Sequence, residues 1–267
     1  MRRELPGAFG VCAARLDDGA RDGTRLAANE DATFPAASVI KIAVALEVLC
    51  AVEECTLDPS TRLELREEDK VIGSGVLAAL GAGLVLAVSD LLYLSMAVSD
   101  NTATNLLIDL VGVTAVNARL EALGLVTTRL TGKILVPGGN GETSPTTAAE
   151  LVALLSAIHR RENLHARACA ELVALLERTQ TASTIGRGLP DERFPGVGPT
   201  PPSITLAYKT GSLCGVIAEA GLVRSPRATY AVAVLSEGSG DQRPNHDNIG
   251  RAKLGDLSRA IYDTFVA

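Results

Sequence analysis

The chain has 267 residues, which is long enough for one large domain or two closely packed ones. Its residues are 47% hydrophobic and 21% charged, a balance typical of a soluble globular protein with a sizeable buried core. The net charge of −6 argues against nucleic acid as the partner. The 3% aromatic content, without Trp, argues against a groove that stacks sugars or bases.

Strand patterns occur at the two ends of the chain and helical patterns in its middle. Two strands are predicted near the start, in GAFGVCAARLDDG and TRLAANED, and three consecutive antiparallel strands near the end, in ITLAYKTGSL, GVIAEAGLVR and ATYAVAVLSEG. Apolar residues recur at helical spacing in the segments between them, and an amphipathic helix, NIGRAKLGDLSRAIYDTFV, closes the chain.

This order predicts a two-lobed α+β fold, in which an antiparallel sheet is built from the N- and C-terminal segments and flanked by helices. Residues 1–37 and 179–267 form the predicted sheet lobe, and residues 38–178 form an inserted all-helical lobe. We expect the active-site cleft to lie between the two lobes.

The cysteines form no CxxC pair and no Cys/His metal spacing. Because they lie in or beside apolar runs, we expect small buried thiols rather than a disulfide framework. The chain also lacks HExxH, an EF-hand loop and a Walker A motif, so we expect neither a metal nor a cofactor. The cysteines concerned are Cys12, Cys50, Cys55, Cys169 and Cys214.

No signal peptide is visible, because no apolar stretch follows the two arginines of MRRELPGAFG. The longest apolar run, GVLAALGAGLVLAV, is shorter than the roughly 18 residues that a membrane span needs. We therefore expect no membrane partner and a cytoplasmic location for the sequence as given, or a secreted or periplasmic one if the N-terminus has been trimmed. The oligomeric state is left open.

The stretch FPAASVIKIAVALEVL places a Ser and a Lys three residues apart at the start of an apolar helix. We expect the helix to run from Val39, with Ser38 at or beside its N-cap and Lys41 one turn in on the same face. Ser38 alone could be an ordinary cap. Lys41 is unusual, because its charge opposes the helix dipole and an apolar helix gives it no solvated face.

A hydrolase that uses this serine needs a base other than histidine. The chain has no G-x-S-x-G motif, and His159, His165 and His246 lie in charged or polar surroundings typical of solvated residues. Lysine can act instead if burial and a neighbouring cation lower its pKa. Lys209, in the predicted strand YKTGSL, is the candidate for that cation.

Three short motifs occur in order along the chain: S-x-x-K at Ser38, S-D-N at Ser99 and K-T-G at Lys209. Each is a weak signal alone, but the ordered set is specific. It is the signature of class A β-lactamases and penicillin-binding proteins, which the chain resembles from its first strand to its last helix. The resemblance implies a class A β-lactamase-like fold.

The resemblance also implies a role for each matching position. Ser38 is the nucleophile that forms an acyl-enzyme, Lys41 accepts its proton, and Ser99 relays a proton to the leaving nitrogen. Asn101 holds Lys41 or binds the amide side chain of the substrate, and Asp100 is structural. The remaining positions contact the substrate. Lys209 and Thr210 bind its carboxylate, and Gly211 allows the backbone to approach closely. The backbone N–H groups of Ser38 and Ser212 form the oxyanion hole.

The chain departs from the class A pattern in the loop LTGKILVPGGNGETSPTT, which has no E-x-x-x-N for deacylation. Glu142 is the only acid in this loop and is expected to be exposed, and Lys133 is a second candidate to reach the cleft. Three functions stay open. The first is a β-lactamase-type serine hydrolase with slow deacylation, acting on a small-molecule β-lactam. The others are a penicillin-binding D,D-peptidase or esterase-like acyl-transferase, acting on a peptide or ester, and a catalytically inactive binding protein.

Overall fold

A five-stranded antiparallel sheet is formed from both ends of the chain. The computed structural model describes residues 7–17, 24–135, 143–189, 203–243 and 247–266. The strand order is β2-β1-β9-β8-β7, and the predicted sheet of terminal segments is thereby confirmed. Its strands are β1 (Ala8–Arg15), β2 (Arg25–Ala28), β7 (Thr205–Leu213), β8 (Val216–Arg224) and β9 (Thr229–Glu237); two small ladders pair β3 (Phe34–Pro35) with β6 (Pro145–Thr146) and β4 (Arg62–Glu64) with β5 (Val85–Ala87).

Seven of the eight described helices match the helical patterns of the sequence, and the short helix α7 was not predicted. They are α1 (Lys41–Glu53), α2 (Val88–Ala97), α3 (Asn101–Val111), α4 (Val113–Ala122), α5 (Ala148–Arg160), α6 (Ala166–Glu177), α7 (Thr184–Arg187) and α8 (Ile249–Val266). None of the helices in the described ranges is long and apolar enough to cross a membrane.

The sheet buries both faces, because successive side chains of a strand point to opposite sides. On β9, Val232 and Val234 pack in one core with Leu254 of α8. The alternate residues Ala231 and Ala233 belong to the second core, which contains the buried residues of α1 and its neighbouring helices. Burial on both sides holds β7, the outermost strand beside β8, in a fixed position.

Helix α1 lies at the centre of the helical layer and is buried along most of its length. It packs against α2, α3, α4 and α6, while α5 lies on β1 and β9 and α6 lies on β7. Two helices from the predicted helical lobe thus cover the sheet directly. The lobe boundaries at residues 38 and 178 stay a prediction.

The start of the first helix differs from the prediction. Ala37–Ile40 form a 3₁₀ turn, α1 begins only at Lys41, and no side chain caps either element. Ser38 is therefore inside the 3₁₀ turn rather than at an N-cap. Ala37 adopts a φ of 46°, a conformation that is uncommon for a residue with a side chain and that turns the chain just before Ser38.

Three of the five cysteines are buried as predicted, and two are not. Cys12, Cys50 and Cys169 are buried free thiols, whereas Cys55 and Cys214 are exposed free thiols. The prediction of burial fails for these two because they occupy turns, one at the end of α1 and one between β7 and β8.

Strand β7 approaches the 3₁₀ turn closely at Gly211. A side-chain carbon there would lie 2.8 Å from the backbone nitrogen of Ser38 and 2.9 Å from the carbonyl oxygen of Ala36. Only a residue without Cβ permits this backbone contact. The contact fixes the distance between the sheet and the segment that carries Ser38.

Replacing Gly211 with Ala should therefore destabilise the fold. The added carbon forces β7 and the 3₁₀ turn apart, and overpacking of this kind costs about 1–3 kcal/mol. The measurement is the free energy of unfolding in urea. The matched control is Gly81→Ala, where a side-chain carbon meets nothing within 4 Å and the expected change is within about 0.5 kcal/mol. Equal stabilities for the two variants would contradict the close approach.

Candidate active site

The amine of Lys41 is buried without solvent contact and is surrounded by polar atoms of the S-D-N segment. Its Nζ lies 2.6 Å from the Ser99 carbonyl oxygen, 2.7 Å from Asn101 Oδ1 and 3.2 Å from Ser99 Oγ. Burial lowers the pKa of Lys41 well below its ordinary range, and the nearby Lys209 lowers it further, against an opposing effect of Asp100. The lowered pKa favours the neutral amine.

A neutral lysine amine has two N–H donors and one lone pair. The two shortest contacts, to the Ser99 carbonyl and to Asn101 Oδ1, are both to pure acceptors and therefore take both N–H groups. The lone pair is left to accept a proton from a hydroxyl group, with Ser99 Oγ 3.2 Å away. This hydrogen-bond arrangement suits Lys41 as a general base.

The S-D-N segment is held in a strained conformation. Ser99 adopts a φ of 57°, and strained residues of this kind persist only where surrounding contacts impose them. One such contact is the hydroxyl of Ser74, which donates to the Ser99 carbonyl oxygen at 2.6 Å. The side-chain amide of Asn101 provides a second contact of this kind by donating to the Ile72 carbonyl oxygen at 3.1 Å.

Asp100 ties this segment to the loop before it, as its predicted structural role requires. One carboxylate oxygen accepts from the Ala103 backbone N–H at 2.9 Å and so caps α3. The other accepts from the backbone N–H groups of Val76 and Leu77, at 2.6 and 2.9 Å. With its carboxylate engaged three times and the residue only 1% exposed, Asp100 has no access to a substrate.

Ser38 lies on the wall of a cleft with a volume of about 390 Å³. Ser99, Thr210, Gly211 and Ser212 line the same cleft, so the structure brings the three motifs together. Among the described residues, none forms a hydrogen bond with the Ser38 hydroxyl. No described side chain therefore fixes the direction of this hydroxyl, and catalytic hydrogen bonds often tighten only in the complex with substrate.

The K-T-G motif forms the wall opposite the S-D-N segment. Lys209 is fully buried, and its Nζ donates to the Thr210 carbonyl oxygen at 2.9 Å. Burial lowers the pKa of Lys209 to about 7, against an opposing effect of Glu219. The hydroxyl of Thr210 lies 2.7 Å from that of Thr181, in a segment that also lines the cleft.

Arg251 is a cleft residue that the sequence analysis missed. It lies on α8, and its guanidinium donates to Ser212 Oγ at 2.6 Å and to Thr184 Oγ1 at 3.3 Å. Burial lowers the pKa of Arg251 and Glu219 opposes this. Arg251 and Arg187 are the basic residues among the described residues that line the cleft, whereas the fully buried Lys209 does not line it.

The structure does not bring Lys133 to the cleft. Its ammonium lies 2.6 Å from Asp109 Oδ2 on α3, and an exposed lysine gains more from this pairing than from desolvation in a cleft. Glu142 lies outside the described residues. No Asp or Glu is among the described residues that line the cleft.

The histidines take no part in the described cleft. His165 lies near Glu54, at 3.4 Å and with 45% of its side chain exposed, and His159 is half-buried on α5. His246 lies outside the described residues. Within those residues no group of three or more His, Cys, Asp or Glu could hold a metal ion.

A larger cavity of about 560 Å³ lies elsewhere, between β1, α4 and α5. Two of its arginines are engaged by acids: Arg15 binds Asp17, and Arg25 binds Glu30. It lacks the nucleophile and the buried amine that distinguish the Ser38 cleft.

The lowered pKa of Lys209 predicts how the free energy of unfolding changes with pH. Between about pH 7 and 10 the unfolded chain binds a proton that the native Lys209 does not, because free lysine has a pKa of about 10.4. Stability must then rise with pH in this window, by up to about 1.4 kcal/mol per pH unit. Relative to a Lys209→Met variant, the wild type should gain stability in urea between pH 7 and 9. A difference that stays constant across this range would contradict it.

Comparison with known proteins places this geometry in a family. The sequence model of the "Beta-lactamase enzyme family" matches residues 2–265. The structure of a β-lactamase from Sphaerobacter thermophilus is 33% identical with a TM-score of 0.84, covering 98% of this chain and 92% of that one. The structure of PBP-A is 27% identical with a TM-score of 0.82, covering 99% and 92%.

A curated relative agrees over a shorter segment. Beta-lactamase L2 of Stenotrophomonas maltophilia is 33% identical over 125 residues, which is 46% of this chain and 40% of that protein. The resemblance that the three motifs indicated is confirmed by the family match over nearly the whole chain and by the fold. The chain belongs to the β-lactamase enzyme family.

Proposed function

We propose that this family member is a serine hydrolase that opens β-lactam amides through an acyl-enzyme on Ser38. The observation that carries the proposal is the buried amine of Lys41, held by Ser99 and Asn101 beside the cleft that contains Ser38. Family membership and the β-lactamase structures similar in fold support it.

Acylation needs a proton acceptor and a proton donor. As Ser38 Oγ attacks the lactam carbonyl, its proton passes to the lone pair of Lys41 Nζ. When the C–N bond breaks, the leaving nitrogen takes a proton from Ser99 Oγ, which is replaced from Lys41 across the 3.2 Å contact. After these steps Ser38 is acylated, the leaving nitrogen is protonated and Lys41 is neutral again.

The oxyanion that forms during attack needs backbone donors. The N–H groups of Ser38 and Ser212 are the proposed pair, one on the 3₁₀ turn and one on β7. The close approach at Gly211 brings these two backbones together. Removing one such donor costs about 2.7–4 kcal/mol of transition-state stabilisation in a comparable site.

The cations of the cleft favour an anionic substrate. Arg187 and Arg251 line the cleft, and Arg251 bonds Ser212 on β7 close to the Thr210 hydroxyl, so a substrate carboxylate there would meet positive potential and hydroxyl donors. β-Lactam antibiotics carry such a carboxylate beside the ring nitrogen. The proposed substrate is therefore a small-molecule β-lactam acid.

Fewer observations support hydrolysis of the acyl-enzyme than support its formation. The loop LTGKILVPGGNGETSPTT has no E-x-x-x-N sequence, so we expect the acyl-enzyme to accumulate. A variant of PBP-A has been captured as an acyl-enzyme complex with penicillin G. Persistence of the acyl group would favour the penicillin-binding alternative over a β-lactamase.

The test is a timed mass-spectrometry experiment with penicillin G. We expect a stoichiometric adduct on the peptide that contains Ser38, formed faster than it clears. Ser38→Ala should abolish the adduct, because no other hydroxyl lies on the 3₁₀ turn that α1 extends. The control Ser156→Ala, on α5 outside the cleft, should retain it.

The outcomes separate the three functions. An adduct that clears within minutes indicates a β-lactamase, and one that persists for hours indicates a penicillin-binding acyl-transferase. If the wild type forms no adduct, and Ser38→Ala hydrolyses ester substrates as fast as the wild type, both enzymatic functions are wrong and a binding protein is left.

A further inference from the structure

Ser74 lies in a short G-S-G sequence that packs directly on the S-D-N segment. The two flanking glycines have φ values of 110° and 108°, a conformation that residues with a side chain rarely adopt. A side-chain carbon at Gly73 would lie 2.6 Å from Asn101 Nδ2, and one at Gly75 would lie 2.3 Å from Asp100 Oδ2. Glycine at both positions therefore allows the loop to bring Ser74 against the S-D-N segment.

Ser74 contacts this segment through both its backbone and its side chain. Its backbone carbonyl oxygen accepts from the Asn101 N–H at 3.0 Å. Its hydroxyl lies 2.6 Å from the Ser99 carbonyl oxygen and 3.3 Å from Asn101 Oδ1, and it lines the same cleft as Ser38. Because these two oxygens can only accept, the hydroxyl of Ser74 is the donor in both contacts.

The same two oxygens hold the amine of Lys41. Its Nζ lies 2.6 Å from the Ser99 carbonyl oxygen and 2.7 Å from Asn101 Oδ1. An acceptor that already receives a hydrogen bond from a hydroxyl stabilises an ammonium less than an acceptor without one, since the positive end of the hydroxyl dipole points at it. The Ser74 hydroxyl therefore holds these acceptors in place and also disfavours the charged form of the amine.

We propose that Ser74 is a positioning residue for the general base: through the two shared oxygens it fixes the acceptors of the Lys41 amine and favours the neutral form that accepts the Ser38 proton. The inference rests on the proposed function, because that function assigns the role of base to Lys41. Ser74 acts through Ser99 and Asn101, so it is not a catalytic residue.

Other charged groups also act on the Lys41 amine and form the background for a pH test. Lys209 on β7 disfavours the ammonium, and Asp100 before α3 favours it. Two guanidinium groups line the cleft as well, those of Arg187 on α7 and Arg251 on α8. These four groups stay the same when the serine is replaced. A shift of the pH profile in such a variant therefore reports the loss of the serine hydroxyl.

The main test compares Ser74→Thr with Ser74→Val, two side chains of nearly the same shape of which only Thr has a hydroxyl. We measure the rate of acylation by penicillin G against pH. In Ser74→Val the acid limb should move to higher pH by at least about 0.5 unit, because the freed acceptors stabilise the ammonium better. On that limb the rate then falls at least about threefold, whereas on the plateau above it the rate should stay within about twofold. Ser74→Thr should keep the wild-type profile.

Ser95→Ala is the control for loss of a hydroxyl elsewhere near the S-D-N segment. Ser95 is buried on α2, and its hydroxyl lies 2.8 Å from that of Thr104 rather than on an acceptor of Lys41. This variant should lower the free energy of unfolding in urea without moving the acid limb. Urea unfolding of the Ser74 variants establishes that they are folded under the assay conditions.

A readout without substrate keeps this inference distinct from the proposed function. Carbon-13 NMR of labelled lysine side chains should show Lys41 titrating at higher pH in Ser74→Val than in Ser74→Thr, whether or not penicillin G acylates Ser38. An unchanged Lys41 titration, or an acylation rate that falls equally at every pH, would overturn the positioning role. Failure of the wild type to react with penicillin G would overturn the proposed function alone.

Discussion

The structure depends on one costly arrangement: the Lys41 amine is buried, and no Asp or Glu of the described ranges is in contact with it. Desolvation disfavours the ammonium, and Lys209 nearby disfavours it again, so the fold favours the neutral base. Two N–H groups then need acceptors, which the Ser99 carbonyl and Asn101 provide. In the proposed mechanism this arrangement supplies the base, because the lone pair of the neutral amine remains to accept a serine proton.

Most of the surrounding architecture serves to keep that arrangement in place. Asp100 joins the S-D-N segment to the loop before it, and the positive φ of Ser99 is tolerated because these contacts impose it. On the opposite side, the close contact at Gly211 sets the position of β7 against the Ser38 turn. Backbone contacts thus fix two parts of the cleft, the S-D-N segment and the approach of β7 to the Ser38 turn.

The sheet and the helices could be predicted from the sequence because both have strong local patterns, and the meeting of the three motifs followed from the resemblance that their order carries. Lys41 could be singled out from the sequence because it is a charged residue in an apolar helix. Glu219 in VIAEAGLVR carries the same kind of signal, whereas Arg251 lies on an amphipathic helix and carries none. The 3₁₀ turn at Ser38 escaped prediction because it depends on the φ of Ala37, which tertiary contact sets. Lys133 was misplaced because nothing in the sequence shows that Asp109 lies beside it.

The most direct test of this account is the protonation state of Lys41 itself. Carbon-13 NMR of the lysine Cε atoms, with the Lys41 signal assigned from its loss in Lys41→Met, measures that state in the folded protein without a substrate. The account predicts that Lys41 titrates well below the ordinary lysine value of about 10.4. A Lys41 that stays protonated up to about pH 10 in the folded protein would contradict its role as the base.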